Sequence, residues 1–472
     1  MRRIATPWIA AAGILLEPSI AAAQGEVTAS QIVPHWSAWL ALILFGIGYL
    51  FVVLEERTHL RKSIPMIMAA GILWILVAVS PAGEGGVESL RENILEFAEL
   101  FLFILAAVSF VNTLEDRQVF AVLRTWLIRR GLSLRGIFWA TGGIAFCMSP
   151  MADNLTTTLV MGAVALSVGA QSPRFVVPAC INIVVAANAG GAFSPFGDIT
   201  TLMVWQRGKL EFAQFFALFI PSLLNWLVPA FLMSLAVPAD RPPANESRVT
   251  LLPGARVVMV LFLATILGTV LLHQLLHLPA ALGMMTGFGL LHFYGYALSR
   301  KLRNQRDADD GPDHMLGGFA RDEDAKHDGF DVFKQLARVE WDTLMFFYGV
   351  MLCVGALHAF GFLDVSAHGL YAGVGPTTTN IAIGAASAVF DNIPLMAAIL
   401  AVSPEMNSAQ WLLVTLTTGV GGSLLSVGSA AGVALMGQAR GIYTFGAHLK
   451  WTWAVALGYA ASIAAHVALN GR

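Results

Sequence analysis

The sequence predicts an all-α polytopic membrane protein with two inverted-topology repeats, each holding a re-entrant helical hairpin and a broken transmembrane helix. Three observations carry this reading: the composition, a series of apolar windows of membrane-crossing length, and four interrupted apolar stretches that fall twice in the same order. Of the 472 residues, 57% are apolar and 12% charged, about half the charged share of ordinary soluble domains. The mean hydropathy is +0.69. A soluble fold has no interior large enough for that much apolar surface. The net charge of −2 leaves no basic excess, which excludes nucleic acid as a partner in this reading. Cys147, Cys180 and Cys353 stand singly in apolar runs, without the paired spacing of a disulfide framework or zinc site.

Residues 1–23 carry Arg2 and Arg3, an apolar run from Ile9 to Leu16 and Ala21-Ala22-Ala23 before Gln24, the plan of a signal peptide. Glu17 and Pro18 interrupt the run, so an uncleaved first span with its arginines in the cytoplasm is the competing reading; both place residues 24–37 outside. A helix needs about 20 apolar residues to cross the hydrocarbon core. Such windows lie at 37–54, 64–80, 96–114, 213–237, 256–272, 280–298, 341–363 and 447–468. The stretches 137–170, 175–206, 378–403 and 411–440 are apolar too, but Gly, Pro or polar residues interrupt each. Lys and Arg are retained on the cytoplasmic side. That rule places Arg57, Arg61 and Lys62, the segment with Arg117, Arg124, Arg129, Arg130 and Arg135, and the charged stretch 299–335 inside, and loop 81–95 outside. Residues 299–335 read as a cytoplasmic connector without chemistry.

The halves share punctuation. Repeat 1, residues 24–237, has Asp153-Asn154, Gly190-Gly191, Gly197, Arg207-Gly208 and Phe212. After a linker at 238–253, repeat 2, residues 254–472, answers with Asp391-Asn392, Gly421-Gly422, Gly428, Arg440-Gly441 and Phe445. The hairpins are then 137–170 and 378–403, and the broken helices 175–206 and 411–440. Inverted repeats with interrupted helices are a plan of secondary transporters, with the site near the membrane midplane where the breaks meet. Backbone groups freed at a break are tolerated only against protein or a water-filled cavity, and there they can bind a small cation.

The first hairpin concentrates Ser149, Asp153, Asn154, Thr156, Thr157 and Thr158 between two apolar runs. Helix capping explains such residues as readily as ion ligation does. In the first broken helix Asn188 precedes Pro195, Gly197, Asp198, Thr200 and Thr201, and a carboxylate at that depth belongs to a cavity or a cation. The second half supplies Ser387, Asp391, Asn392, Ser423, Ser426 and Ser429, with Ser429 standing where the first half has Asp198. Three buried carboxylates and many hydroxyls suit Na+ and protons and repel an anion. Glu99 and Asp342 are candidates for a proton pathway, whereas Glu96 and Glu340 read as interfacial. His273 and His277 read as a solvated edge and His292 as a packing residue, although histidine invites a role in pH sensing. No nucleotide-binding loop and no metalloprotease or serine-hydrolase motif occurs in the sequence, so an ion gradient, and neither ATP nor enzyme chemistry, is the expected driving force.

At Ser149 to Thr158, at Asn188 to Gly191 with Ser194 to Thr201, at Phe390 to Pro394 and at Gly419 to Gly432, the chain resembles the NhaD-type sodium:proton antiporters. They are a branch of the ion transporter superfamily that includes dicarboxylate and arsenite carriers, and the resemblance covers nearly the whole chain. It implies exchange of cytoplasmic Na+ or Li+ for external H+, a bacterial inner-membrane location, salt and alkali tolerance, and a homodimer, with no cofactor beyond the transported ions. It also implies roles for Ser149, Asp153, Asn154, Asn188, Asp198, Thr200, Thr201, Asp342, Asn392, Ser426 and Ser429. The dicarboxylate carriers typically show Ser-Asn-Thr at both hairpin tips; this chain has Ala152-Asp153-Asn154 and Phe390-Asp391-Asn392, and the added acids argue for a cation alone. The expected mechanism is alternating access with Na+ and H+ competing for Asp153 and Asp198, and with Asn154 also at the Na+. Its rivals are a Na+-coupled dicarboxylate symporter, an arsenite-type exporter, and a membrane-embedded enzyme or scaffold.

Overall fold

A computed structural model of the chain describes residues 35–58, 60–169, 172–241, 249–309, 337, 339, 341–439 and 441–471. The signal-peptide reading, Glu340 and most of the 299–335 connector lie outside these residues. Every regular element among those described is helical.

In the first half, α1 (Trp36–Val53), α2 (Ser63–Ala78) and α3 (Gly83–Asp116) lead to a short α4 (Val119–Arg129). Then come α5 (Leu134–Ala152) and α6 (Asn154–Gly169), α7 (Pro173–Gly191) and α8 (Ile199–Gln206). A 3-10 turn (Phe212–Leu218) leads into α9 (Phe219–Ser234). The second half holds α10 (Ala255–Leu276), α11 (Ala280–Asp309) and α12 (Trp341–Ala359). It continues with α13 (Pro376–Ala386), α14 (Asn392–Val402), α15 (Ser408–Gly421), α16 (Ala430–Gln438) and α17 (Thr452–Asn470).

Among the described residues six helices are long and apolar enough to cross a membrane by length and composition; α3, α7, α10, α12 and α17 are five, and the sixth joins the 3-10 turn to α9. Exposed apolar side chains such as Ile43 and Leu50 on α1 and Val260, Leu267 and Leu271 on α10 face outward, as lipid-facing surfaces must. Packing between helices in lipid depends on close approach and interhelical hydrogen bonds, because burial from water contributes nothing there. The α2–α12 pair shows both. Trp74 donates its indole N–H to the Leu352 carbonyl at 2.9 Å, and a Cβ at Gly349 would lie 2.6 Å from the Met66 carbonyl carbon. α9 packs along α17, and α10 along α11.

α7 is buried from Phe175 onward along nearly its whole length, which is why its sequence after the exposed Arg174 is apolar apart from two asparagines. Asn182 is satisfied there: it donates to the Phe138 carbonyl at 2.7 Å and accepts from the Trp226 indole at 2.8 Å. Helix starts are fixed by side-chain caps, from Ser133 to the Gly136 N–H at 3.2 Å and from Asn407 to the Gln410 N–H at 2.9 Å, and by Pro173 and Pro376 in the first turns of α7 and α13.

Three elements differ from the sequence reading. The acidic stretch 81–95 is not a loop but the polar first turns of α3, which begins at Gly83. α4 lies in a segment read only for its arginines; its Phe120 is buried. The connector 299–335 starts later than read, because α11 continues to Asp309.

Candidate functional site

The polar residues come from four places where one helix ends and the next begins, α5–α6, α7–α8, α13–α14 and α15–α16. In the first hairpin α5 ends at Ala152 and α6 begins at Asn154, so the chain reverses through Asp153, whose backbone has φ 52° and ψ 162°. A non-glycine residue there carries strain of about 1–3 kcal/mol. The side chain offsets it: Oδ1 accepts from the Thr156 N–H at 2.8 Å and Oδ2 from the Thr156 hydroxyl at 2.9 Å. Asp153 therefore caps α6, and Ser149, three residues before Ala152, donates to the Ala187 carbonyl at 2.6 Å.

The first broken helix opens between Gly191 and Ile199. Thr201 bonds the Ser194 and Asp198 carbonyls at 2.9 and 2.7 Å, and Ser194 bonds the Pro150 carbonyl at 3.0 Å; the freed backbone is thus satisfied by side chains of the same region. Asp198 occupies the N-cap position of α8, yet its side chain forms no capping bond. Its Oδ2 instead accepts from the Thr200 hydroxyl at 3.1 Å and from the Asn392 amide at 2.9 Å. In the second half the corresponding Ser429 does cap, accepting from the Gly432 N–H at 3.2 Å, and Asp391 caps α14 through the Ile393 N–H at 3.2 Å. Asp198 thus ties the first turn of α8, through Thr200, to Asn392 of the second half.

Beside a bond from the Asp391 N–H to Tyr49 Oη at 3.4 Å, the halves are joined at this level by two links between side chains. One is Asn392 to Asp198. The other runs from the Asn154 side-chain amide to Asn188 Oδ1 at 3.1 Å and from the Asn188 side-chain amide to Ser429 Oγ at 3.1 Å. Glycines permit the approach: a Cβ at Gly190 would strike the Phe146 carbonyl oxygen, and at Gly421 that of Gly384. Within each break, a Cβ at Gly191 would lie 2.6 Å from the Gly197 oxygen and at Gly422 2.7 Å from the Gly428 oxygen. The hydroxyls of Thr157 and Ser426 are buried, and none of the described residues hydrogen-bonds to them.

A cavity of about 250 Å³ lies against these residues. Asp153, Asn154, Asp198, Asp391, Asn392 and Ser429 line it, together with apolar residues and with Asn112, Glu115 and Thr343. Among the described residues its charged lining consists of Glu115, Asp153, Asp198 and Asp391, with no Lys, Arg or His. Glu99 is elsewhere, in a separate cavity of about 60 Å³ beside Glu96 and Arg207, where the latter two are ion-paired at 2.5 Å. Asp342 accepts from the Ser63 hydroxyl, and only its neighbour Thr343 is on the main cavity wall. Glu96 is half-exposed in its ion pair; His273 contacts the Leu278 carbonyl at 2.9 Å and His292 packs on Phe288.

Sequence reasoning missed Asn112, Glu115 and Thr343. A signal existed for the first two: Phe103, Ala107, Val108, Asn112 and Glu115 recur at helical spacing along α3, the mark of one face. No three His, Cys, Asp or Glu among the described residues converge as a resident metal site.

A helical bundle of membrane-crossing length, broken at two places beside a polar cavity, is the architecture of a multi-pass membrane transporter. The citrate transporter family model matches residues 37–292 and 326–419 of this chain. The Na+/H+ antiporter NhaD of Alkalimonas amylolytica is 50% identical over 445 residues, covering 92% of this chain and 90% of that protein. NhaD of Vibrio cholerae is 49% identical over 441 residues, 92% of each, and sodium/proton antiporter 1 of Arabidopsis thaliana is 30% identical over 446 residues, 91% of this chain and 72% of that protein. The chain belongs to the citrate transporter family and, within it, to the NhaD group of Na+/H+ antiporters.

Proposed function

We propose that this protein exports Na+, and Li+ with it, in exchange for H+ across a bacterial inner membrane, with the two ions competing for carboxylates in the cavity. The observation that carries the reading is Asp198: buried at a helix start, unused as a cap, and held on the cavity wall by Thr200 from its own half and Asn392 from the other. A carboxylate so placed is costly without a cation or a proton. A Na+ ion satisfies it together with other oxygen-bearing side chains of the same cavity wall, Asn392 and Ser429 among them. A proton satisfies it equally, and so expels the metal. The acidic charges that the described residues place on the lining weigh against citrate or a dicarboxylate, whose charges need a cationic or neutral pocket.

The two halves act in this account as inverted repeats that carry the site through alternating access. The recurrence of contacts supports it: Ser149 to Ala187 and Ser387 to Thr418 are the same hydroxyl-to-carbonyl bond, at 2.6 and 3.0 Å, and the two glycine crossings above recur in the same register. Ser149, Asn154, Asn188, Thr200, Thr201, Asn392, Ser426 and Ser429 then shape or ligate the ion position, Asp153 and Asp391 hold the hairpin tips, and Glu99 and Asp342 serve proton movement.

The test is quenching of an acridine dye in everted vesicles from an antiporter-deficient host. Dequenching on NaCl or LiCl but not on KCl or citrate supports the reading. Transport of citrate or succinate without cation-linked proton movement overturns it.

A further inference from the structure

We infer that Glu115 is the cation-recruiting carboxylate at the mouth of the cavity, and that it sets the apparent affinity for Na+ on one membrane face only. This rests on the Na+/H+ exchange proposed above. Glu115 lies in the last turn of α3, exposed to solvent, yet it lines the same cavity as Asp153, Asp198 and Asp391. The α3 wall of that cavity begins at Phe103, which is buried against Phe196 of the first break with ring centroids 5.4 Å apart. From Phe103 to Glu115 is a rise of about 18 Å, so the acid stands at the open end of a passage whose inner end is the ion site.

The surroundings of that mouth are basic. Arg117 donates to the Pro253 carbonyl at 3.5 Å, and its own carbonyl accepts from the Leu252 N–H at 3.2 Å. Next in the chain, Gly254 is packed on Tyr294 and Leu298. The end of α3, the start of α10 and the far part of α11 therefore meet here, and Arg256, Arg300 and Lys301 stand two or three residues along the chain from these contacts. Basic residues of this kind mark the cytoplasmic face, and they repel a cation that must enter. Glu115, which no Lys or Arg pairs with among the described residues, is the carboxylate that the cavity itself presents at this rim. A single-sign lining in a low-dielectric cleft focuses the field and raises the local concentration of its counter-ion. Exposure means that salt screens the effect, over about 8–10 Å at physiological ionic strength.

The experiment compares the wild type with Glu115→Gln and Glu115→Asp in everted and right-side-out vesicles, measuring the rate against Na+ concentration at fixed pH. For Glu115→Gln the expected KM for Na+ in everted vesicles is higher by roughly three- to tenfold, with the maximal rate retained. Glu115→Asp restores the wild-type KM, and added choline chloride narrows the difference. In right-side-out vesicles the KM is unchanged. An unchanged KM on both faces, or a fall in maximal rate that Glu115→Asp does not rescue, overturns the assignment. A KM effect confined to right-side-out vesicles overturns the cytoplasmic placement of this mouth. Absence of Na+-linked proton movement in the wild type itself would instead refute the exchange on which the inference rests.

Discussion

Replacing Asp198 by Asn separates charge from shape. The Asn side chain can keep an oxygen where Oδ2 now accepts from Thr200 and Asn392 at 3.1 and 2.9 Å, and Asp198 makes no cap to lose. Packing and helix geometry should therefore survive, and what disappears is one negative charge beside the cation. At about 4 Å and an effective dielectric near 20 that charge is worth about 4 kcal/mol, or roughly three decades in apparent Na+ affinity. The assay is Na+-dependent dequenching in everted vesicles, with thermal unfolding in detergent as the control for folding. The expected result is loss of the Na+ response at all attainable concentrations with an unfolding midpoint close to that of the wild type. A variant with a Na+ KM within threefold of the wild type would refute the reasoning, because it would show that the ion never meets this carboxylate.

Asn392→Ala removes the donor that the second half offers to Asp198; a hydrogen bond to a charged group contributes about 1.5–3 kcal/mol, so the Na+ KM should shift by at least tenfold, measured in the same dequenching assay. Ser429→Ala deletes both the α16 cap and the acceptor of Asn188, and should lower stability by about 1 kcal/mol as well as weakening Na+ activation; Ser429→Thr should recover the stability in detergent unfolding. Gly190→Val would drive a side chain into the Phe146 carbonyl and should destabilise by about 1–3 kcal/mol or prevent accumulation in the membrane, which fluorescence-detected size exclusion would show. Arg207→Gln breaks a partly exposed ion pair with Glu96 and should change stability by less than about 1 kcal/mol.

Much of the fold was legible because a membrane forces the pattern. Apolar windows gave the helices, and the polar clusters at Asp153-Asn154, Asp198, Asp391-Asn392 and Ser426 to Ser429 stood out because lipid tolerates them only at a site. The polar start of α3 was hidden by Glu84, Glu88 and Glu92, which read as loop residues when counted by hydropathy. Chemistry at the clusters was less legible than their position. Capping and ligation use the same residue types, and only three-dimensional geometry shows that Asp153 and Asp391 cap while Asp198 does not. Glu115 escaped notice because an acid at the end of a span reads as solvated; that it also faces the cavity depends on how α3 packs. Glu99 sits on the same helix, yet the structure puts it in a different cavity.

The central claim is that a cation and a proton, and no organic anion, pass through this cavity. The direct test is uptake of radiolabelled sodium and of radiolabelled citrate into proteoliposomes of the purified protein, each with an imposed proton gradient and with none. Sodium uptake that requires a lumen more acidic than the bath, is abolished by Asp198→Asn and is indifferent to citrate is the expected result. Citrate accumulation driven by sodium, or sodium uptake insensitive to the proton gradient, would contradict it.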